Sequence, residues 1–459
     1  MTDGVATRSD TVTKMINDSQ RVHDLMAGGV HMRAKGVTYL PKFPAEDTTD
    51  YDARKASTWL FNGVKKVRED ITGRVFEKPV VLKDQKGRLF DYCQNVDLEG
   101  RDLSNFAKDV FEASLERGIS FIMADAPPRN EQMTVGQVKA SGWRPYLVGL
   151  KLDQVLGWKS ELVGGAPTLT QFRIMESVAD PDRTEYSDDT IEQVRELSLV
   201  EGRVRVRLWR GGTSGDGSWA IFQEYDTDLD QIYVVPVYTG RTGYFTAKTP
   251  LDEIAELNLA HWRVQSDKSS CLHKALAPML FMKSMLDETG APVVSSAGMA
   301  FNTSSPDGDL KWVEVSGAGI EKASVELGEI QDQMQQMGLQ LISDRVGVTT
   351  ATGESINEGK SVTRIRMWAD DLKDSLEIAL GWMVDIMGDA GVDTEVIVNK
   401  DYGVLGNMPL SDIKDMYLAG VISRETYIKE AQRRGALAED VDPSDEIETQ
   451  ERGSLDDER

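Results

Sequence analysis

Apolar residues recur along this chain at two periods, and the switches between them divide it into regions. From Asp52 to Thr72, Ala53, Ala56, Leu60, Val64, Val67 and Ile71 fall at intervals of three and four, the stripe of an amphipathic helix closed by Gly73 and Pro79. Asp102 to Arg117 repeats the pattern with Leu103, Phe106, Val110 and Ala113, stops at Gly118, and runs into the short apolar strand Ile119 to Ala124. Between Pro145 and Tyr238 the runs become short or alternate with period two, as in RVRVRLW and SWAIFQEY, and predict a β-rich region. Gly211 to Gly217 forms a hairpin loop between those two strands.

From Leu251 the helical period returns. Leu251, Ile254, Leu257, Val264, Leu272, Leu276 and Met279 predict a helix to about Met285, kinked or ended by Pro278. Ala291 to Val315 reads as short strands around the turn Pro306-Asp307-Gly308. A second long helix carries Ile320, Leu327, Ile330, Met334, Met337 and Leu341, a narrow seam for another helix. After the polar connector SDRVGVTTATG comes a third, Glu354 to Met387, striped by Ile365, Trp368, Leu372, Leu376, Leu380, Met383 and Met387 and able to span ~50 Å. Beyond Asn399, Ile413, Met416, Tyr417, Val421 and Ile422 precede the N-cap candidate Ser423 in a helical hairpin. The tail from Glu439 is acidic and too poor in apolar residues to fold alone. Near the start, Gly29, Gly36, Pro41 and Pro44 interrupt GGVHMRAKGVTYLPKFPAED and leave a loop expected to be ordered by partners.

Composition narrows the function. At 459 residues the chain divides into two to four packed regions, and 40% hydrophobic with 28% charged residues is a globular balance. No run approaches the ~18 apolar residues that span a bilayer. The N-terminus lacks an export signal, which places the protein in a cytoplasm. Cys93 and Cys271 are too far apart in sequence to suggest a disulfide or thiolate site, and both are expected to be buried; the four histidines are dispersed. A formal charge of -24 opposes a surface that grips nucleic acid, and would suit a wall past which DNA slides without sticking.

No motif compels an enzyme. GESINEGKS, Gly353 to Ser361, approaches a phosphate loop at Gly359-Lys360-Ser361, but has five residues between its glycines where four are required, and Glu354 would repel phosphate. Asp370 with Asp371, and Asp226 with Asp228, are paired acids that nothing selects from so acidic a background. Arg203, Arg205 and Arg207 share one strand face and read as a solvated or salt-bridged surface rather than a phosphate site. His261 and His273, beside Trp262 and Cys271, read as satisfied polar positions on a packed helix.

The ordered set of motifs resembles a family of tailed-bacteriophage portal proteins first described as a domain of unknown function. It rests on YLPKFPAED with FNGVKKVREDITGRVFEKP, on NVDLEGRDLSNFAKDVFEASLERGISFIMADAPP with WRPYLVGLKLDQVLGW, and on LAHWRVQSDKSSCLHKALAPML. TTATGESINEGKS and MYLAGVISRETYIKEAQRRGAL are similar to segments found more widely among portals.

The resemblance implies an α+β subunit of a twelve-membered ring around a DNA channel. Its wing would be residues 1–250, its first stem helix 251–285, its clip 286–318 and its second stem helix 319–343. Residues 344–353 would be a tunnel loop, 354–409 a long wing helix with a following strand, 410–437 a crown, and 438–459 a disordered tail. Asp344, Arg345, Val346, Gly347, Val348, Thr349 and Thr350 would face the channel, and Ile320, Leu327, Ile330, Met334, Met337 and Leu341 would make stem contacts. The implied partners are double-stranded DNA, the terminase large subunit, head–tail adaptor proteins and the major capsid protein, with no membrane, cofactor, metal or catalytic residue. The implied location is the capsid vertex of a virion assembled in the host cytoplasm. The rival readings are another head–tail adaptor, or a nucleotide-binding enzyme using residues 353–361.

Overall fold

The computed structural model describes residues 4–127, 143–211, 218–276, 279–283, 306–313, 317–342, 351–389, 391–399, 410–433 and 436–437. Strand β2 (Ile119–Asp125) organises the fold because both of its faces are buried. It is the middle of a three-stranded antiparallel sheet between β3 (Tyr146–Lys151) and β9 (Val234–Tyr238). Successive side chains of a strand point to opposite faces, so Ile122 and Ala124 enter one core while Ile119, Phe121 and Met123 enter another.

The first core is helical. It gathers α1 (Asp10–Met26), α4 (Gly63–Val75), α6 (Leu103–Arg117) and three longer helices: α7 (Asp252–Ala275), α8 (Ala318–Ile342) and α9 (Ala351–Met387). The second lies between the three-stranded sheet and a five-stranded antiparallel sheet in the order β4 (Val155–Val163), β5 (Ala166–Ala179), β6 (Thr190–Val200), β7 (Arg203–Gly211), β8 (Trp219–Asp226). Phe121, Phe172 and Phe245 form its aromatic centre. The β-rich region and the β7–β8 pair follow the short and alternating runs in the sequence, and the Ile119 strand its continuous apolar run; residues 212–217 lie outside the described residues.

The smaller elements are α2 (Gly29–Lys35), α3 (Thr48–Ser57), α5 (Gly87–Cys93) and the pairs β1 (Val81–Leu82) with β14 (Val396–Ile397) and β10 (Arg241–Gly243) with β11 (Thr246–Ala247). A hairpin of β12 (Met279–Lys283) and β13 (Asp309–Val313) follows α7, and α10 (Leu410–Leu418) stacks on α11 (Arg424–Arg433) through Tyr417 and Tyr427.

Four expectations are corrected. The stripe from Asp52 to Thr72 is two helices, α3 and α4, because Asn62 caps the second by accepting from Lys65 N at 3.0 Å. The helix expected to run to about Met285, with a kink or end at Pro278, ends at Ala275, and Met279 lies in β12 opposite Val313; residues 284–305 of the expected short-strand segment and its approach lie outside the described residues. Helix α9 starts at Ala351, three residues before Glu354, which shortens the expected connector and leaves Gly353 to Ser361 helical. In a helix the amides of that segment bond backward along the chain rather than converging on a phosphate.

The fourth correction concerns the loop from Gly29 to Asp47, which is ordered by its own chain. Asp24, fully buried, accepts from Tyr39 Oη at 2.6 Å and Gln20 Nε2 at 2.9 Å and lies 2.7 Å from His31 Nε2. Burial opposes its charge, yet these hydrogen bonds hold its pKa below the ordinary aspartate value. Arg54 closes the other end by donating to Glu46 through Nε and Nη2, at 2.7 Å each, to Pro41 O, and to Ser266 Oγ of α7. The Arg54 guanidinium holds the Glu46 pKa down at about 2.

Helix α6 stops at Gly118 because this residue takes φ +87°, a left-handed conformation that glycine adopts without strain. A Cβ there would lie 2.6 Å from the Lys248 carbonyl carbon. Gly118→Ala is expected to destabilise the protein by roughly 2 kcal/mol or more, read as a lower midpoint in chemical denaturation; an unchanged midpoint contradicts this account of the turn into β2.

Candidate functional site

The residues with functional promise lie on a two-helix arm. Helix α7 begins in the helical core, where Ile254, Ala255, Asn258, His261, Trp262 and Ser266 are buried, and ends exposed at Cys271, Leu272, His273 and Leu276. Its 24 residues make it ~36 Å long. Helix α8 packs beside it with Leu327, Ile330 and Met334 buried, Ile320 and Met337 partly so, while the Leu341 side chain is outside the described set. The seam read from the sequence thus packs within the chain itself, against α7 and α4.

Three contacts fix the base of the arm. Asn258 donates from Nδ2 to Phe61 O at 2.7 Å and accepts at Oδ1 from Val64 N at 3.1 Å, which holds the break between α3 and α4 against α7. Gly338 brings α8 so close to α4 that a Cβ would meet Val67 Cγ2 at 2.6 Å. His261 Nε2 lies 2.9 Å from Gln331 Nε2, and Phe61 packs on the imidazole with ring centroids 5.3 Å apart. A single-sequence reading offers no signal for Asn258 or Gln331, because a lone polar residue in a helix looks like a solvated one.

His261 is fully buried and its Nδ1 has no hydrogen-bond partner, which corrects the expectation of a satisfied histidine. His273 and Cys271 are exposed, so only Cys93 is the buried thiol expected of both; burial pushes its pKa up to about 12. The other sequence candidates are occupied or lie elsewhere. Arg205 donates to Asp226 at 2.6 Å, Arg207 to Glu224 at 3.2 Å, and Arg203 lies 3.8 Å from Asp228, so of the solvated or salt-bridged face expected of them the structure shows ion pairs. Asp344, Arg345, Val346, Gly347, Val348, Thr349 and Thr350 lie outside the described residues. Among the described residues, no group of three or more His, Cys, Asp or Glu side chains is placed to hold a metal, and no helix is long and apolar enough to cross a membrane.

One comparison falls on this part of the chain. A family model described as a domain of unknown function, DUF4055, matches residues 250–387, the stretch from the start of α7 to the end of α9. No curated protein matches. Among solved structures, the chain aligns with one titled as the neck of an empty GTA particle computed with C6 symmetry, at 14% identity and a TM-score of 0.38, over 82% of this chain and 89% of that one. It also aligns with the neck of a native GTA particle computed with C12 symmetry, at 13% identity and a TM-score of 0.40, over 87% and 97%.

Outward from its base, the arm exposes Leu272 on α7, Leu276 and Phe281 beyond its end, and Val325 on α8. Leu276 is 75% exposed. An apolar surface at the end of a projecting element is the kind that another protein surface covers. The arrangement presents an apolar contact surface.

Burial alone lowers the His261 pKa below the usual imidazole value of 6.5. A histidine whose folded pKa is depressed contributes stability above its unfolded pKa and loses it as pH falls through the folded one. Unfolding free energy measured between pH 7.5 and pH 5 is therefore expected to fall more steeply in the wild type than in His261→Gln; equal slopes contradict the placement of an uncharged imidazole at the arm base.

Proposed function

We propose that this chain is a ring-forming structural subunit of the head–tail junction of a phage-type virion, and specifically its portal, the channel through which double-stranded DNA is packaged, retained and released. The observation that carries the reading is the arm. A helix buried at one end and apolar at its exposed other end suits assembly far better than life as a monomer. The motif set that resembles portal proteins supports it, as does the matched stretch 250–387, which coincides with the two arm helices and the long helix after them.

In this reading α7 and α8 are the stem, and the β12–β13 hairpin belongs to the clip that meets the terminase large subunit and later an adaptor. Residues 344–350 approach the channel, and α10 with α11 form a crown on the capsid side. The charge of -24 per copy leaves DNA hydrated and mobile in the bore rather than bound to it. The protein acts as a conduit and supplies no catalytic group, ATP hydrolysis residing in the separate motor. It assembles in the host cytoplasm, and its resident site is one capsid vertex, beside the major capsid protein. The arm would serve a head–tail adaptor equally well, and the adaptor differs in ring size and in lacking a through-channel.

Mass measurement on the purified protein tests assembly. Closed species near twelve times the 50.9 kDa chain are expected, with few intermediates. Protein that stays monomeric across protein concentration and ionic strength overturns both the portal and the adaptor readings.

A further inference from the structure

At the free edge of the five-stranded sheet, β8 carries a bulge. Leu208 pairs with Gln223 and Trp209 with Ile221, so Phe222 is the extra residue between them. A bulge re-aims the side chains beside it. Here Ile221 and Phe222 are neighbours that are both exposed, at 45% and 58%. The Arg210 guanidinium stands 3.6 Å from the Phe222 ring centroid and is steadied by a hydrogen bond from its Nε to Gln193 Oε1 at 3.0 Å. The result is an apolar knob with a cation on its flank. From Trp219 to Phe222 the strand has none of the lysine, proline or inward charge with which edge strands are usually protected.

The same chain carries a hollow of opposite character. Between α7 and α8 lies a groove of about 560 Å³ whose floor is Leu257, Ala260 and Met337 and whose rim includes Glu253, Glu256 and Gln336. Glu256 is largely exposed, and its ion pair with Arg21, at 3.8 Å, is long. The groove is an open depression rather than an enclosed cavity, with an apolar floor.

We infer that the Ile221–Phe222 knob of one copy seats in the α7–α8 groove of the next, with Arg210 facing the Glu253 and Glu256 rim. The occupant is a second copy because the two surfaces, on different elements of the same chain, are opposite in charge, Arg210 on one and Glu253 with Glu256 on the other, and both are apolar at their centres. A contact between unlike patches repeats head to tail and closes into a ring. This inference rests on the ring reading above and names the pair of surfaces that would propagate the ring.

A charge exchange tests it with the full chain, by mass measurement across a dilution series. Arg210→Glu and Glu256→Arg are each expected to raise the concentration needed for rings by on the order of tenfold or more, and the double variant Arg210→Glu with Glu256→Arg to recover most of that loss. Phe222→Asp, at an exposed position that spares folding, is expected to weaken rings as strongly. Rings formed by all three single variants at wild-type concentrations, or a double variant no better than its parents, overturn the pairing while leaving the ring reading intact. A wild-type protein that forms no rings overturns both.

Discussion

The architecture depends on one helix being held at one end and free at the other. Trp262 and His261 are fully buried in α7, and Asn258 fastens the chain break between α3 and α4 to it. Within about three further turns the same helix is exposed at Leu272, and Leu276 just past its end is exposed as well. Helix α8 returns along the arm and re-enters the core at Ile330 and Met334, locked to α4 through Gly338. An arm anchored by both of its helices is stiffer than one hung from a single helix, as a part that transmits position to a partner must be.

Strand β2 supplies the foundation for that anchor. Its two buried faces join the helical core to the β core, so the arm and the five-stranded sheet are parts of one packed body. Helix α9 lies over β9 and β2, with Ser375 donating to Pro236 O at 2.9 Å and Trp382 stacked on Tyr233 with ring centroids 5.0 Å apart. The two surfaces inferred to meet across copies, the bulged strand edge and the helical groove, are therefore fixed relative to each other within a copy. Fixed geometry between unlike patches is what sets the number of copies in a closed ring.

Much of this fold is legible in the sequence where period and burial agree. The β7–β8 hairpin and the Arg203, Arg205, Arg207 face follow from strict alternation, and the Leu327, Ile330, Met334 seam follows from helical spacing. The failures have tertiary causes. The apolar stripe from Ala53 to Ile71 keeps its period across the break at residues 58–62, which is enforced by Asn258, nearly two hundred residues away. Likewise Leu272, Leu276 and Met279 keep helical spacing, although Met279 is claimed by a strand pairing with Val313. The loop after Gly29 looked dependent on a partner because its hydrogen-bonding hub, Asp24, and its clamp, Arg54, are single charged residues in neighbouring helices. On the arm, the helical stripe of Leu327, Ile330 and Met334 is legible as a packed face, whereas His261, Gln331 and the bulge at Phe222 depend on contacts between strands or helices that no local pattern records.

Electron microscopy of the purified assembly tests most directly the proposal that these subunits surround a channel. Flat rings of about twelve subunits, with a central hole that runs through and the α7–α8 arms grouped around it, are the predicted result. Compact particles without a hole, or filaments that never close, would contradict it.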